Sequence, residues 1–216
     1  HLGTQRGGLA TLHEGGIDRT IHDIRHAQFR SKFDDDVGRM HGRSGIGVIS
    51  DYEDQPLLIH SHLGLYAIIT VGRIANEDEL AREAFEGGQT HFSEMSGDGI
   101  NPTELAASLI NRRDTFTAGI RHAQERIKGS CSMLLLTSEG LYAARDRLGR
   151  TPVILGVRPE ARSVTFESCA LYNLGYDYDR DLGPGEIVRL SPDGCECMAP
   201  PGDRMQACSF LWVYYG

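Results

Sequence analysis

Short patterns of histidine and cysteine are the first residues in this chain whose types and spacing suit chemistry. His60-Ser61-His62 carries two imidazoles two residues apart, so on a strand both would face one side and could share a zinc ion. A third ligand is not evident near them, and we interpret them as surface histidines where a strand turns at Gly64. Cys195-Glu196-Cys197 has the spacing of a metal or redox pair, but it follows a Pro-Asp-Gly turn and is better explained as alternating strand residues. We predict no metal site and no cofactor.

Two acidic clusters and the remaining cysteines are the other candidates. Asp34–Asp36 and Asp51–Asp54 offer carboxylates to a hard cation, but neither has the alternating oxygen spacing of a calcium loop, so we interpret both as solvated loop charge. Cys131 and Cys169 lie in apolar or small-residue stretches, which predicts buried free thiols rather than nucleophiles. The odd total of five cysteines does not indicate a disulfide framework, and it favours a reducing compartment.

Composition and charge exclude several classes of partner. With 216 residues and 40% hydrophobic content, the chain can bury one sizeable core. The formal charge of −8 argues against a nucleic-acid surface, which needs clustered lysine and arginine. No apolar run is long enough to span a bilayer, and no signal segment opens the chain. We expect a soluble, cytoplasmic single domain whose ligand is a small molecule, with no nucleic-acid or membrane partner.

The elements that must position any site are strands, then helices, then strands. Gly45–Ile49, Leu57–Ile59 and Leu65–Val71 are strand-like, and the last is apolar almost throughout, as expected for a central strand covered on both faces. The later strands are predicted over five segments, Ser132–Thr137, Leu141–Ala144, Val153–Gly156, Ser163–Phe166 and Glu186–Leu190. Strands joined mostly by hairpins on either side of a helical insert indicate an α+β domain of antiparallel sheets packed with helices.

Three helices are predicted between the two sets of strands, beginning at Asn76, at Asn101 and over Thr117–Lys128. Asn76 and Glu79 form a capping-box pattern, in which the Asn76 side chain would accept from the amide of Glu79 and the Glu79 side chain from the amide of Asn76. Asn101 and Glu104 form a second box, with Pro102 at the first helical position, where no amide hydrogen is needed.

Five blocks along the chain resemble one family, the amidophosphoribosyltransferases. Ala144–Val153 resembles that family's "RDPLGxRPL" signature, Phe166–Leu171 its "ASESCAL", and Arg180–Ile187 its "RDVxPGE". Cys208–Tyr214 is similar to its "CxFExVYFARPDS", and His1–Leu9 loosely matches "LQHRGQDAAGI". The blocks occur in the family's order and at about its spacing over nearly the whole chain.

The resemblance implies a fold and an activity. The fold would be a four-layer αββα sandwich of two antiparallel sheets, of the class II glutamine amidotransferase (N-terminal-nucleophile hydrolase) type. In the family, a processed N-terminal cysteine attacks the glutamine amide with its own α-amine as base. The ammonia then passes to a C-terminal phosphoribosyltransferase domain. Residues 1–207 would be a glutaminase-type domain lacking its first strand, with the nucleophile upstream of His1, and 208–216 would begin the connection to that second domain. Homo-oligomers are common in the family.

Two of the family's charged glutamine contacts are replaced in this sequence. The segment "GIGHxRYST" supplies an arginine that grips the glutamine carboxylate, and its position falls on Ser50. Asp51 beside it would repel a carboxylate. The family's "DTE" aspartate, which holds the substrate amine, falls on Pro102.

The third departure concerns the oxyanion hole, which the family builds from "HNGNLxN". Gly72 matches the glycine, but the asparagine position is Val71, which cannot donate a hydrogen bond. The loss of one such donor costs about 3 kcal/mol of transition-state stabilisation. Arg73, two residues on, is either a substitute carboxylate clamp or a solvent-facing or pocket-blocking arginine, and we favour the second interpretation. These substitutions predict an inactive glutamine pocket.

Three functional hypotheses remain. The chain is an active glutaminase domain, a pseudo-glutaminase serving as a scaffold or metabolite-binding regulatory domain, or an N-terminal-nucleophile hydrolase of another amide. The residue at the mature N-terminus separates them, because cysteine favours the first, serine or threonine the third, and a residue without a nucleophile the second. The pocket substitutions favour a non-standard or inactive site.

Overall fold

The computed structural model describes residues 4–26, 28–51, 53–89, 91–97 and 99–209. Its elements are, in chain order, β1 (Arg6–His13), β2 (Gly16–Asp23), α1 (Phe29–Val37), β3 (Ser44–Ser50), β4 (Leu57–Ser61), β5 (Gly64–Ile74), α2 (Glu77–Glu86), β6 (Met95–Ser96), β7 (Gly99–Ile100), α3 (Pro102–Ile110), α4 (Phe116–Arg126), β8 (Gly129–Thr137), β9 (Gly140–Ala144), β10 (Ile154–Arg158), β11 (Ala161–Thr165), α5 (Ser168–Asn173), β12 (Asp177–Asp181), β13 (Ile187–Ser191) and β14 (Gly194–Ala199).

A six-stranded antiparallel sheet in the order β14-β13-β9-β8-β5-β4 forms the centre of the molecule. Successive side chains of a strand point to opposite faces, and in β8 both faces are buried. Met133 and Leu135 join one hydrophobic cluster, and Leu134 and Leu136 join the other. This double burial explains why β8 and β5 are apolar with almost no alternation, and the predicted central strand Leu65–Val71 is confirmed.

Two three-stranded antiparallel sheets, β2-β1-β3 and β11-β10-β12, form the second β layer. Ala10 of β1, Ile46 of β3 and Leu155 of β10 belong to the same cluster as Ala67 and Ile69 of β5. Both small sheets therefore pack on one face of the six-stranded sheet. In the described part of the chain no strand pairs these two sheets with each other, so the second β layer is divided.

Helices cover both outer surfaces of the two β layers. Leu80 of α2, Leu109 of α3 and Ile120 of α4 pack against the free face of the six-stranded sheet. On the opposite side, a Cβ at Gly7 of β1 would clash with Phe29 of α1, and one at Gly156 of β10 would clash with Leu171 of α5 (the first and last helices lie on the small sheets). The layers are helix, sheet, sheet, helix, which confirms the predicted αββα architecture.

A buried arginine ties the loops that follow β9. The Arg145 guanidinium donates to three backbone carbonyls, of Thr151 at 2.9 Å, Leu182 at 2.5 Å and Gly149 at 2.7 Å. The Asp146 carboxylate accepts from the N–H of Leu148 and of Thr151. Burial lowers the pKa of Arg145. These two residues bond backbone groups of turns, so they maintain the fold.

The capping box predicted at Asn76 is wrong, although α2 begins where expected. The Asn76 side chain accepts no hydrogen bond from a backbone amide in the first turn of α2. Its Oδ1 accepts from Lys128 N at 2.8 Å, and its Nδ2 donates to Arg126 O at 3.2 Å. Asn76 therefore takes the amide that would have continued α4, which explains why α4 ends at Arg126 and not at Lys128 as predicted.

The predicted box at Asn101 is half correct. Asn101 Oδ1 accepts from Thr103 N at 2.9 Å, as an N-cap should, and Pro102 occupies the first turn. The Glu104 carboxylate instead accepts from the amides of Ser93 and Glu94, at 2.9 and 2.7 Å. A non-local segment has displaced the local partner.

Two further predictions for individual residues are wrong. Asp34–Asp36 lie in α1 and not in a loop, and Asp36 accepts from Thr20 Oγ1 at 3.1 Å. Cys169 is exposed. It precedes Leu171, the buried residue of α5, by two positions, which places the two side chains on nearly opposite sides of a helix.

The remaining histidine and cysteine predictions are confirmed. His60 is exposed at the end of β4, and His62 in the following turn contacts the carbonyl of Arg113 at 2.9 Å through Nε2. Cys195 and Cys197 lie on β14 and are exposed, and Cys131 is buried. The hydrophobic segment 210–216 and residues 1–3, which entered the sequence comparison, lie outside the described residues.

Replacing Asn76 by alanine is expected to destabilise the fold by about 2 kcal/mol, because two part-buried backbone groups lose their partner. Loss of an N-cap alone would cost about 1 kcal/mol. Asn76→Ser is the matched control, because serine caps helices as well as asparagine but is too short to reach Lys128. Urea unfolding should show serine nearly as destabilising as alanine. A serine variant with wild-type stability would show that capping is the role of this residue after all.

Candidate functional site

The C-terminal end of β5 has an open edge on one side. β4 pairs with β5 only as far as Leu57 and Ile68, whereas β8 pairs with β5 to Ile74. Thr70 N points away from β8 and donates to the side-chain Oε1 of Gln55 at 2.8 Å. By the two-residue alternation of a strand, Gly72 N–H points to the same edge. Beyond Thr70, this edge has no strand partner among the described residues.

The segment between β3 and β4 is held beside this edge by side chains from several elements. Ser50 Oγ donates to Glu53 O at 2.5 Å, and Asn101 Nδ2 donates to Asp54 O at 3.2 Å. Arg6 Nε lies 3.2 Å from Asp54 Oδ1. With the Gln55–Thr70 bond, these contacts fasten the segment at successive residues.

The start of α3 closes the other side of the open edge. Thr103, in its first turn, is fully buried, and its hydroxyl lies 2.6 Å from Thr70 Oγ1. Pro102 precedes it and faces the same space. The short hairpin of β6 and β7 contributes Ser96 and Ile100 as a further wall.

These elements enclose a cleft of about 570 Å³, within the range of small-molecule sites. All five positions singled out from the sequence, Ser50, Val71, Gly72, Arg73 and Pro102, line it. The structure therefore brings together residues that lie as far apart in the sequence as Ser50 and Pro102. Their role in binding a substrate stays a prediction.

Charges of both signs line the cleft, and carboxylates outnumber cations. Asp51, Glu53 and Glu77 lie on its wall with Arg73 as the basic residue among the described lining positions. Burial raises the pKa of Glu77, the neighbouring carboxylates of Asp78 and Glu53 raise it further, and Arg73 opposes the rise. Arg73 is therefore electrostatically coupled to an acidic residue of the cleft.

Ser50 and Val71 are tied to the local structure of the cleft wall. Ser50 is 9% exposed and uses its hydroxyl on the loop carbonyl of Glu53. Val71 is half-buried on β5 and has no polar side-chain atom. Neither side chain offers a charge to a ligand.

Gly72 has a conformation that requires glycine. Its φ is +133°, and a Cβ there would lie 2.2 Å from Ser130 O on the neighbouring strand β8. The residue opposite it in the pairing is Cys131, whose thiol pKa burial raises to about 12. A thiol with that pKa stays protonated at neutral pH, so Cys131 is a core residue beside the cleft.

Residues that the sequence did not single out also line the cleft, chiefly Gln55, Thr70, Glu77 and Thr103. Their positions follow from the register between β4 and β5 and from the docking of α3. No local pattern marks Gln55, because its partner Thr70 is 15 residues away. The described residues contain no cluster of histidine, cysteine and carboxylate suited to a metal ion. Across the same residues, every helix is too short or too polar to cross a membrane.

The chain matches a family model over more than half of its length and several curated proteins over all of it. The model of the family described as "Glutamine amidotransferase domain" matches residues 41–172. The amidophosphoribosyltransferase of Escherichia coli is 28% identical, over all of this chain and 46% of that protein. The one of Methanothermobacter thermautotrophicus is 27% identical, again over all of this chain and 46% of its own length. The chain thus spans about half the length of these curated relatives.

Solved structures show the same fold. The glutamine phosphoribosylpyrophosphate amidotransferase of B. subtilis, complexed with ADP and GMP, superimposes with a TM-score of 0.84 at 22% identity, over 99% of this chain and 47% of that one. A class-II glutamine aminotransferase domain protein of Silicibacter pomeroyi has a TM-score of 0.55 at 13% identity, over 90% of this chain and 92% of that one.

Gly72→Ala is expected to cost about 2 to 4 kcal/mol of stability, because the methyl group would meet a backbone carbonyl that cannot move without breaking the β5–β8 pairing. Gly64→Ala is the control. Gly64 also has a positive φ, +97°, but no atom lies within 4 Å of its Cβ position. Strain alone should make that variant about 1 kcal/mol less stable. Equal losses in chemical denaturation would contradict the steric argument.

The stability contribution of Glu77 is expected to depend on pH. A carboxyl whose folded-state pKa is raised contributes stability below the unfolded-state pKa, and that contribution is lost as the pH rises through the folded-state value. Glu77→Gln should therefore gain stability relative to the native protein as the pH rises above about 4, the range in which a glutamate of the unfolded chain ionises. Urea titrations at several pH values measure the difference. A difference that stays constant with pH would contradict the burial of this carboxylate.

Proposed function

The chain belongs to the glutamine amidotransferase family, as a class II domain related to amidophosphoribosyltransferase. Within this family, we propose that its cleft has lost the ability to hydrolyse glutamine. The observation that carries the proposal is the chemistry of the cleft wall. Ser50, Val71 and Pro102 line one cleft at the positions where the resemblance expects an arginine, an asparagine and an aspartate. At these three positions glutamine would meet neither the family's arginine nor its asparagine nor its aspartate.

Each replacement is compatible with the protein around it, which favours a stable change of function over damage. Pro102 occupies the first position of α3, where an amide hydrogen has no helical partner. Val71 is β-branched and lies in a strand, which suits its shape. Ser50 holds the neighbouring loop through Glu53 O. A domain under no constraint would accumulate changes that disturb the fold as well.

Arg73 does not restore the missing clamp in this proposal. An arginine that binds a carboxylate does so through paired hydrogen bonds, and neighbouring acidic side chains compete for the same donors. Arg73 is exposed and shares the cleft with Asp51, Glu53 and Glu77. The three acidic side chains would repel the carboxylate of glutamine, and the attraction by the single arginine would not outweigh this repulsion.

The relatives carry a second region that this chain does not span, and it informs the wider role. Each curated relative continues for about as many residues again, and its name describes a phosphoribosyl transfer. We place this domain beside a C-terminal phosphoribosyltransferase-type domain, to which it would be attached from residue 208 onward. In that setting, the domain is a pseudo-glutaminase that serves as a scaffold or as a metabolite-binding regulatory unit. The second domain would then use free ammonia or a different nitrogen donor.

The alternative is an active glutaminase that supplies ammonia for phosphoribosylamine synthesis, in a compartment that we expect to be the cytoplasm. The family match and the retention of Gly72 in its positive-φ conformation favour it. Under this alternative the cleft would recognise glutamine by a different set of contacts, with Arg73 as the carboxylate partner.

Glutamate release from glutamine by the full-length protein with its native N-terminus decides between them. We expect no release above that of a Val71→Lys variant, whose long side chain fills the cleft. Such a control matters because a contaminating glutaminase would act equally in both samples. Saturable release that Val71→Lys abolishes would establish the active alternative.

The combined variant Ser50→Arg, Val71→Asn and Pro102→Asp should bind glutamine at least about tenfold more tightly than the native protein, since one charged hydrogen bond contributes about 1.5 to 3 kcal/mol. Isothermal titration with glutamine measures this gain. Unchanged affinity in a folded variant would show that these positions do not face the ligand.

A further inference from the structure

Gln55 presents an oriented hydrogen-bond donor to the cleft. Its side chain is 4% exposed and lines the cleft wall. Thr70 N–H can only donate, so the amide atom that it contacts at 2.8 Å must be the oxygen, which fixes the orientation of the whole carboxamide. The Nε2 group then has two hydrogens, for which the described part of the chain provides no acceptor. Nε2 is not one of the fully buried polar atoms that lack a partner, so it keeps some accessible surface and a ligand or water in the cleft can accept from it.

The Gln55 carboxamide lies along the open edge of β5, the edge to which the N–H of Gly72 also points. If the β4–β5 register is continued past Leu57 and Ile68, Gln55 lies opposite Thr70. Gly72 N–H points to this edge two residues further along, a distance of about 7 Å. Between them, the side chain of Val71 has no hydrogen-bond donor. The edge therefore offers hydrogen-bond donors to an oxygen acceptor from a neutral side chain and from the backbone.

The acidic side chains of the cleft favour a cation at its other side. The described residues that line the cleft include three acidic side chains, of Asp51, Glu53 and Glu77, and one basic side chain, of Arg73. Glu77 is half-buried and is surrounded by further negative charge from Asp78 and Glu53. An ammonium group placed there would relieve this repulsion, and a carboxylate would increase it.

We infer that the cleft binds a primary ammonium compound that carries a carboxamide or similar carbonyl oxygen and no carboxylate. Gln55 Nε2 and the strand edge at Gly72 bind the oxygen, and the carboxylates of Glu77, Glu53 and Asp51 bind the ammonium group. Binding is non-covalent, and the inference rests on the proposed loss of glutamine hydrolysis at this same cleft. Gln55 becomes the residue that recognises the carbonyl.

Three probes on the native full-length protein test the ligand class by isothermal titration. 4-Aminobutanamide has both groups, butylamine lacks the carboxamide, and glutamine adds a carboxylate. We expect 4-aminobutanamide to bind about tenfold more tightly than butylamine, the value of one well-placed hydrogen bond. 4-Aminobutanamide should also bind at least about tenfold more tightly than glutamine, because the carboxylates of the cleft repel the carboxylate of glutamine. Equal affinity for the amide and the amine, or glutamine binding as tightly as the amide, would overturn the inference.

Gln55→Glu isolates the donor. The variant retains an oxygen for Thr70 N but replaces the NH₂ group by a second oxygen, and a pH of about 8 keeps the new carboxyl ionised. The added charge acts on the ammonium of both amine probes, so the ratio of their affinities reports on the carbonyl contact alone. We expect that ratio to fall from about ten to about one. A ratio that stays near ten would show that Gln55 does not contact the carbonyl.

Glu77→Gln is the matched variant for the other end of the ligand. It should weaken both amine probes by a similar factor and leave their ratio near the native value, and a change in the ratio would contradict the assignment of the two ends. If Gln55→Glu does not fold, as judged by circular dichroism, the comparison of probes on the native protein still decides the ligand class. Glutamate release is measured on the same preparation, so that active hydrolysis would overturn the proposed function while the affinity ratio separately reports on Gln55.

Discussion

Nine backbone pairs between β5 and β8, from Tyr66 opposite Thr137 to Ile74 opposite Gly129, connect the core to the cleft. Both strands are buried on both faces where they cross the centre, so their register is strongly constrained by side-chain packing. Because β4 stops pairing at Leu57, β5 and β8 continue beyond it as a pair, and the edge of β5 that faces away from β8 is left open. The cleft is built along this open edge.

The residues that maintain the fold are largely distinct from those that give the cleft its chemistry. Arg145 and Asp146 bind backbone groups of turns, and the apolar residues of β5 and β8 fill two clusters. Ser50, Val71 and Pro102 lie at the rim, where each still satisfies a local structural requirement. The fold can therefore be kept while the side chains that face a ligand change, which is consistent with a family resemblance that is strong in the sheet and weak in the site.

Local sequence patterns predicted where helices begin better than they predicted the hydrogen-bond partners of individual side chains. Asn76 and Glu104 both have capping-box spacing, and both helices begin where this spacing places them. Their side chains nevertheless bind segments that are distant in sequence, Lys128 for Asn76 and Ser93 for Glu104. The buried Asn76 and the half-buried Glu104 bind the unsatisfied backbone amides that the tertiary structure brings near them. The prediction that Cys169 is buried was wrong for a related reason. Which face of a short helix becomes buried depends on the elements against which the helix packs.

The sequence by itself determined the layers and the family of this protein. Apolar runs identify the central strands, since a strand buried on both faces cannot tolerate polar residues, and ordered motifs identify the relatives. Tertiary structure decided the cleft. Its open edge depends on where β4 leaves β5, and the orientation of Gln55 depends on the amide of Thr70, which is brought opposite by strand register. Register is set by packing across the whole sheet, so no segment read alone contains it.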